Sequence, residues 1–333
     1  MRVFLRLLLW SVAGLATLVA LVAALLFYLV WSPPPVMPQL SGALTRGTIE
    51  IAGMRRAYAL YRPANLARGA PLVIAMHGAD GTGTRMRVAT GYGFERLADQ
   101  HGFAVAYPNA FEGNWNACNV EGGHASSRRN IDDVAFLTAL ADRLSSEIGV
   151  DRNRVFAMGI SLGVQMAYRL ALEAPSRFRA VAAVAAGLPA ARNFKCRPSS
   201  SGTASVMIMN GVEDPLNPFN GGEIQLFGLY RHGLVRSSRA SGQYFADRNG
   251  IANAPTTRET QFANGVRVED TSWRGGGPIE VELIGVHGGG HGLPQPYWRG
   301  PRILGPSPVE PNGPGLIWSF FEHQTRSGVE EAK

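Results

Sequence analysis

The sequence predicts an α/β fold, with a mostly parallel central sheet carrying helices on both faces, preceded by one N-terminal transmembrane helix. Three observations predict it. Short apolar runs alternate with stretches of helical character along most of the chain, as in a parallel sheet covered on both sides. An uncharged run of 25 residues, Leu7 to Trp31, stands near the N-terminus. Between a strand-like and a helix-like run lies Gly159-Ile160-Ser161-Leu162-Gly163, a serine held between two glycines.

In chain order, the Leu7–Trp31 run is long enough to span a hydrocarbon core of about 30 Å at about 1.5 Å per residue. Arg2 and Arg6 precede it, and Tyr28 and Trp31 stand where interfacial aromatics belong. Ser32-Pro33-Pro34-Pro35 follows, a stiff linker without a convincing small-x-small cleavage site. Residues 1–31 are therefore expected to be a signal-anchor, with a cleaved export signal as the alternative. The expected units are then a Pro-rich linker at 32–45, one folded domain at 46–326 and a polar tail at 327–333. Either reading of the leader exports the domain, and its two cysteines, Cys118 and Cys196, then read as one disulfide between loops; two separate thiols are the alternative.

Within the domain, Thr48–Ala52 and Arg56–Tyr61 alternate as an opening hairpin. Leu72–Met76 is a buried strand, followed by a Gly-rich turn and a helix through about Ala98. Phe103–Tyr107 is the next strand and Pro108–Arg129 a long loop. Asp132–Ile148 carries an apolar stripe at helical spacing, with Asp132-Asp133 expected to cap it. Arg154–Met158 and the residues after Ser161 form the strand and helix of the serine turn. Phe178–Ala186 and Ser205–Met209 are strands, Ser237–Asn249 a helix, and Thr257–Trp273 an antiparallel pair turning at Asn264-Gly265. Ile279–Val286 is the last strand, and Leu316–His323 begins a C-terminal helix. The stretch from Gly288 to Pro314 has no regular pattern.

A serine at such a turn has its hydroxyl lifted above the sheet, and the N–H of Leu162 opens a helix, where it can face an anion. A nucleophilic serine needs a base, and the base needs a carboxylate. Asp214, in Asn210-Gly211-Val212-Glu213-Asp214-Pro215, and His291, in His287-Gly288-Gly289-Gly290-His291-Gly292, each follow a predicted strand in the order Ser, Asp, His. Glu213 and His287 are the neighbouring rivals. His287 and His291 also stand at a zinc-like spacing, but three glycines between them oppose the helix a metal site needs. The turn His77-Gly78-Ala79-Asp80-Gly81 offers the N–H of Ala79 as a second oxyanion donor, with His77 bracing it. Trp115 and Tyr297 are candidate substrate-binding residues, with plain packing as the alternative.

Together these segments resemble the polyhydroxybutyrate depolymerase/feruloyl esterase family of α/β-hydrolases, over about Arg55 to His323. The resemblance rests on Leu72–Gly78, Tyr107-Pro108 with Trp115-Asn116, Asp132–Leu137, Arg154–Ser161, the Asn210–Pro215 turn and Gly288-Gly289-Gly290-His291. It implies an α/β-hydrolase fold and an exported serine esterase working without a cofactor. It implies Ser161 as nucleophile, Asp214 as acid and His291 as base. Two departures are Leu293, where the family often has tryptophan after the GGGH turn, and Leu162, where a small or polar residue is frequent. No polymer-binding module is recognisable after the domain, so a small or oligomeric ester is expected over solid polyester.

Composition narrows the alternatives. The 32 Lys and Arg against 25 Asp and Glu give a net charge of +7, two of it from Arg2 and Arg6. The basic residues are scattered, so nucleic acid is not an expected partner. Neither the G-x-G-x-x-G spacing nor a P-loop lysine accompanies Gly78–Gly81. An acyltransferase or peptidase on the same scaffold remains open, as does a catalytically silent membrane-tethered binding protein.

Overall fold

The computed structural model describes residues 2–330 apart from 227 and 229; the last three residues of the expected polar tail lie outside the described residues. The N-terminal run forms one helix, α1 (Arg2–Val30), none of whose residues is buried. A helix apolar on every face with no residue buried in the protein is built for a medium other than water.

Strands β1 (Ala43–Ile51) and β2 (Met54–Arg62) form the opening antiparallel hairpin. Then come β3 (Leu72–Met76), α2 (Gly83–Ala89), α3 (Gly93–His101) and β4 (Ala104–Pro108). The single helix expected before Ala98 is broken because Gly91 and Tyr92 both stand at positive φ, 58° and 57°, outside the right-handed helical region. The long loop contains only the short α4 (Ala125–Arg128), after which α5 (Asp133–Ile148), β5 (Val155–Ile160), α6 (Leu162–Glu173), β6 (Ala180–Val184) and β7 (Ser205–Gly211) follow. A hairpin that sequence reading overlooked, β8 (Gly222–Leu226) and β9 (Tyr230–Val235), stands apart from the main sheet. The remaining elements are α7 (Ser238–Arg248), β10 (Thr256–Gln261), β11 (Arg267–Arg274), β12 (Glu280–His287) and α8 (Gly313–Glu330). The last helix continues into the segment expected to be a tail.

The ten-stranded sheet has the order β1-β2-β4-β3-β5-β6-β7-β12-β11-β10. Its six central strands, β4 to β12 in that order, pair in parallel, and the two strands at each edge are antiparallel. Alternation at period two divides each central strand between two cores. Leu72, Ile74, Ala157, Val206 and Ile208 pack with α5, α6 and α7, whereas Val73, Phe156, Met158 and Met207 pack with α2, α3 and α8. Both faces being covered explains why these strands read as continuous apolar runs. All six parallel strands end on one side, and the loops leaving β3, β5, β7 and β12 meet there.

Candidate active site

The turn after β5 is set by two close backbone approaches. A Cβ on Gly159 would lie 2.1 Å from the Gly163 carbonyl oxygen, and one on Gly163 would lie 2.4 Å from that of Met76. Neither gap admits a methyl group, so glycine is required on both sides of the serine. Ser161 itself adopts φ 57° and ψ −119°, a strained conformation costing about 1–3 kcal/mol that marks functional turns. Its N–H donates to the Val184 carbonyl at 3.0 Å, holding the turn to β6. Although Ser161 is the N-cap of α6, its hydroxyl makes no capping bond. Leu162 opens that helix, where backbone N–H groups have no intrahelical acceptor.

The loops after β7 and β12 bring together the two partners sequence analysis names. The His291 Nδ1 lies 2.8 Å from Asp214 Oδ2, and both side chains are nearly inaccessible, 5% and 1% exposed. The other carboxylate oxygen of Asp214 accepts from the N–H groups of Leu216 and Asn217, each at 2.8 Å. Thus every strong contact of the carboxylate has a fixed direction. The His291 ring lines a cavity that Ser161 also lines, and the contact at Nδ1 leaves Nε2 for that cavity. The rivals have other employment. Glu213 accepts from the Gly288 N–H at 2.7 Å, tying the acid loop to the histidine loop. His287 faces Arg267, 3.0 Å from its Nη2, at the antiparallel edge.

The turn after β3 lies against Ser161, since a Cβ on Gly78 would stand 3.2 Å from the Ser161 Cβ and 3.7 Å from its Oγ. Ala79 lines the same cavity. His77 is a brace: the Ala110 N–H donates to its Nε2 at 3.1 Å, and its Nδ1 lies 2.7 Å from the Gly78 carbonyl. Burial lowers its pKa to about 4, so the imidazole is neutral and Nδ1 carries the proton. Beneath it the Trp115 indole donates to the His77 carbonyl at 2.9 Å. Trp115 is fully buried and lines neither of the two cavities beside Ser161. Its loop is pinned by Asp133, which accepts from the Asn116 N–H at 2.7 Å and pairs with Arg56 at 2.6 Å. Asp132 alone caps α5, accepting from the Ala135 N–H.

Two cavities flank Ser161. The larger, about 310 Å³, is walled mainly by apolar groups, among them Ala79, Ile160, Leu293, Trp298, Pro301 and Leu304. Leu293, one of the two departures from the resembled family, therefore forms part of its wall. Tyr297 does not: it is 39% exposed and stacks under the Arg96 guanidinium, 4.5 Å away. Its neighbour Trp298 takes the wall position. The smaller cavity, about 30 Å³, lies on the Leu162 side and is polar, with Asn119, His124, Gln165, Asn217 and His232 around it. His124 and His232 stack at 5.2 Å. Burial holds both below the ordinary histidine pKa, and for His124 the neighbouring His232 adds to the effect. Sequence reading missed this polar side because His232 arrives on the overlooked β8–β9 hairpin; the alternation of Glu223, Ile224, Gln225 and Leu226 was the available signal.

Cys118 and Cys196 form the disulfide, spanning 78 residues. It joins the long loop to the segment after β6, adjacent to the bridge between Asn119 and Phe194.

The family described as Esterase PHB depolymerase matches residues 56–217. That stretch of the chain is similar to this esterase family. The match contains Ser161 and Asp214 and stops short of His291. NocK of Nocardia uniformis subsp. tsuyamanensis, provisionally named an esterase, is 35% identical over 196 residues, covering 57% of this chain and 54% of that protein. Feruloyl esterase C of Emericella nidulans is 30% identical over 187 residues, 54% of this chain and 62% of its own length. The chain thus spans little more than half the length of these relatives. Among solved structures, acetyl xylan esterase from Aspergillus awamori superposes with a TM-score of 0.58 at 18% identity, covering 85% of this chain and all of that one. This likeness establishes the α/β-hydrolase fold.

Proposed function

We propose that the protein is a carboxylic ester hydrolase that works through an acyl-enzyme on Ser161. The observation that carries this reading is the 2.8 Å contact between His291 and Asp214 on a cavity shared with a strained, uncapped serine. In the proposed reaction the Ser161 Oγ attacks the ester carbonyl while His291 Nε2 takes its proton. The negative charge that develops on the carbonyl oxygen is met by the N–H groups of Leu162 and Ala79, one of them at the positive end of α6. Collapse expels the alcohol, protonated by His291. Water then attacks the acyl-enzyme with His291 as base, releasing the acid and free serine.

Asp214 stabilises the imidazolium and fixes which ring nitrogen carries the proton. The short, direction-fixed contacts of its two oxygens support that role. The apolar N-terminal helix and the disulfide support a membrane-tethered protein whose domain lies on the extracytoplasmic side. Turnover of p-nitrophenyl acetate tests the reading. Ser161→Ala is expected to reduce kcat by about 10⁴-fold or more, and retention of wild-type turnover would remove it.

A further inference from the structure

We infer that the apolar cavity beside Ser161 is supplied from the bilayer, so that its substrate is an acyl ester of a membrane-resident amphiphile. This inference rests on the esterase reading above and adds the substrate class and its route.

The argument starts where α1 leaves the membrane. Its last turn and the residues after it dock on one segment of the domain, residues 298–302. The Arg302 Nη1 donates to the Tyr28 carbonyl at 3.2 Å, and its guanidinium stands 4.2 Å over the Tyr28 ring. The Trp298 indole donates to the Pro33 carbonyl at 2.9 Å, and the Ser32 hydroxyl donates to the Arg299 carbonyl. A domain hung on a free linker would show no such attachment. With α1 in the bilayer, Tyr28 and Trp31 stand at headgroup level, and residues 298–302 are held against the membrane surface.

That same segment walls the site. Between α1 and the domain runs an open trough of about 890 Å³, with Leu26, Phe27, Val30 and Trp31 on one side and Trp298 and Pro301 on the other. Trp298 and Pro301 also line the 310 Å³ apolar cavity containing Ser161. The trough and the catalytic cavity therefore share Trp298 and Pro301 as lining, and both are mainly apolar. Arg85, Arg299 and Arg302 are exposed around this junction, placed to meet lipid phosphates. A water-soluble ester has no use for this arrangement, because it is not concentrated in the bilayer and can arrive through water. An ester with a long apolar arm gains from it twice: it is concentrated in the bilayer, and it can slide from lipid to serine without exposing that arm to water. The polar cavity on the other side of Ser161 is then left for a small hydrophilic part of the molecule.

The test uses the full chain in phosphatidylcholine vesicles and two esters. p-Nitrophenyl acetate reports the site through water, and p-nitrophenyl decanoate dissolved in the bilayer reports the membrane route. Arg302→Glu breaks the attachment to Tyr28 and opposes lipid phosphates, and it lies outside the cavity wall. The expected result is a loss of at least about tenfold in kcat/KM on the bilayer ester, with acetate turnover within about twofold of wild type. Equal effects on both esters, or none on either, would overturn the inference and leave the esterase reading intact. Full activity of Ser161→Ala on both esters would instead remove the esterase reading itself. A second measurement locates the wall independently of activity. Lipids brominated in their acyl chains should quench a tryptophan signal that Trp298→Phe abolishes; identical quenching of the two proteins would contradict the placement.

Discussion

Replacing Asp214 by asparagine isolates the electrostatic part of the proposed mechanism from its geometry. In the native protein Asp214 Oδ1 accepts from two backbone N–H groups, and Oδ2 faces His291 Nδ1. An asparagine can satisfy the Leu216 and Asn217 N–H groups only with its carbonyl oxygen. The opposite orientation would leave two buried donors unpaired, at about 1–3 kcal/mol each. The amide NH₂ therefore falls on His291 Nδ1, which must become an acceptor. The ring proton moves to Nε2, the nitrogen that should take the proton of Ser161, and no carboxylate remains to stabilise an imidazolium. A loss of about 10⁴ in kcat is expected, or about 5.5 kcal/mol, with KM little changed because the substrate does not touch residue 214. The assay is steady-state hydrolysis of p-nitrophenyl acetate at pH 7, with thermal unfolding to show that the variant is folded. A folded Asp214→Asn protein within tenfold of wild-type kcat would refute the assigned role.

Other outcomes follow from the same structure. Since native His77 stays neutral down to about pH 4 while the unfolded chain protonates near 6.5, the unfolded state binds the proton first. Its stabilisation is then intact above pH 6.5 and falls by up to about 3 kcal/mol as pH drops towards 4; His77→Gln should flatten that part of a pH series of urea melts, and an unchanged slope would count against it. Gly163→Ala must force a methyl group against the Met76 carbonyl, and a destabilisation of about 1–3 kcal/mol with reduced turnover should appear in denaturant unfolding and ester assays. Replacing both Cys118 and Cys196 by serine releases a covalent loop of 78 residues, for which chain entropy gives about 4.5 kcal/mol; a loss under about 1 kcal/mol would show that the bridge contributes little.

What the sequence revealed was what local chemistry determines. The turn at Ser161 was legible because two glycines flank it between an apolar run and a helix, and the structure shows that neither glycine can carry a methyl group. The parallel strands were legible because burial on both faces leaves them uniformly apolar. Features decided by distant contacts were not. Trp115 reads as a cleft aromatic, yet its place is fixed by the His77 carbonyl 38 positions earlier. Tyr297 and Trp298 are equivalent on paper, and only the path of the loop turns one to solvent and the other to the cavity. The break at Gly91-Tyr92 and the β8–β9 hairpin rest on backbone angles and pairings that short segments do not signal. Nor does any pattern in residues 28–35 announce that they dock on residues 298–302.

The most direct test of the central claim is covalent. A fluorophosphonate probe reacts only with an activated serine, so mass mapping after labelling the full-length protein should find a single adduct, on the peptide containing Ser161, and none in Ser161→Ala. An adduct on another serine, or no adduct on the folded wild-type protein, would contradict the account.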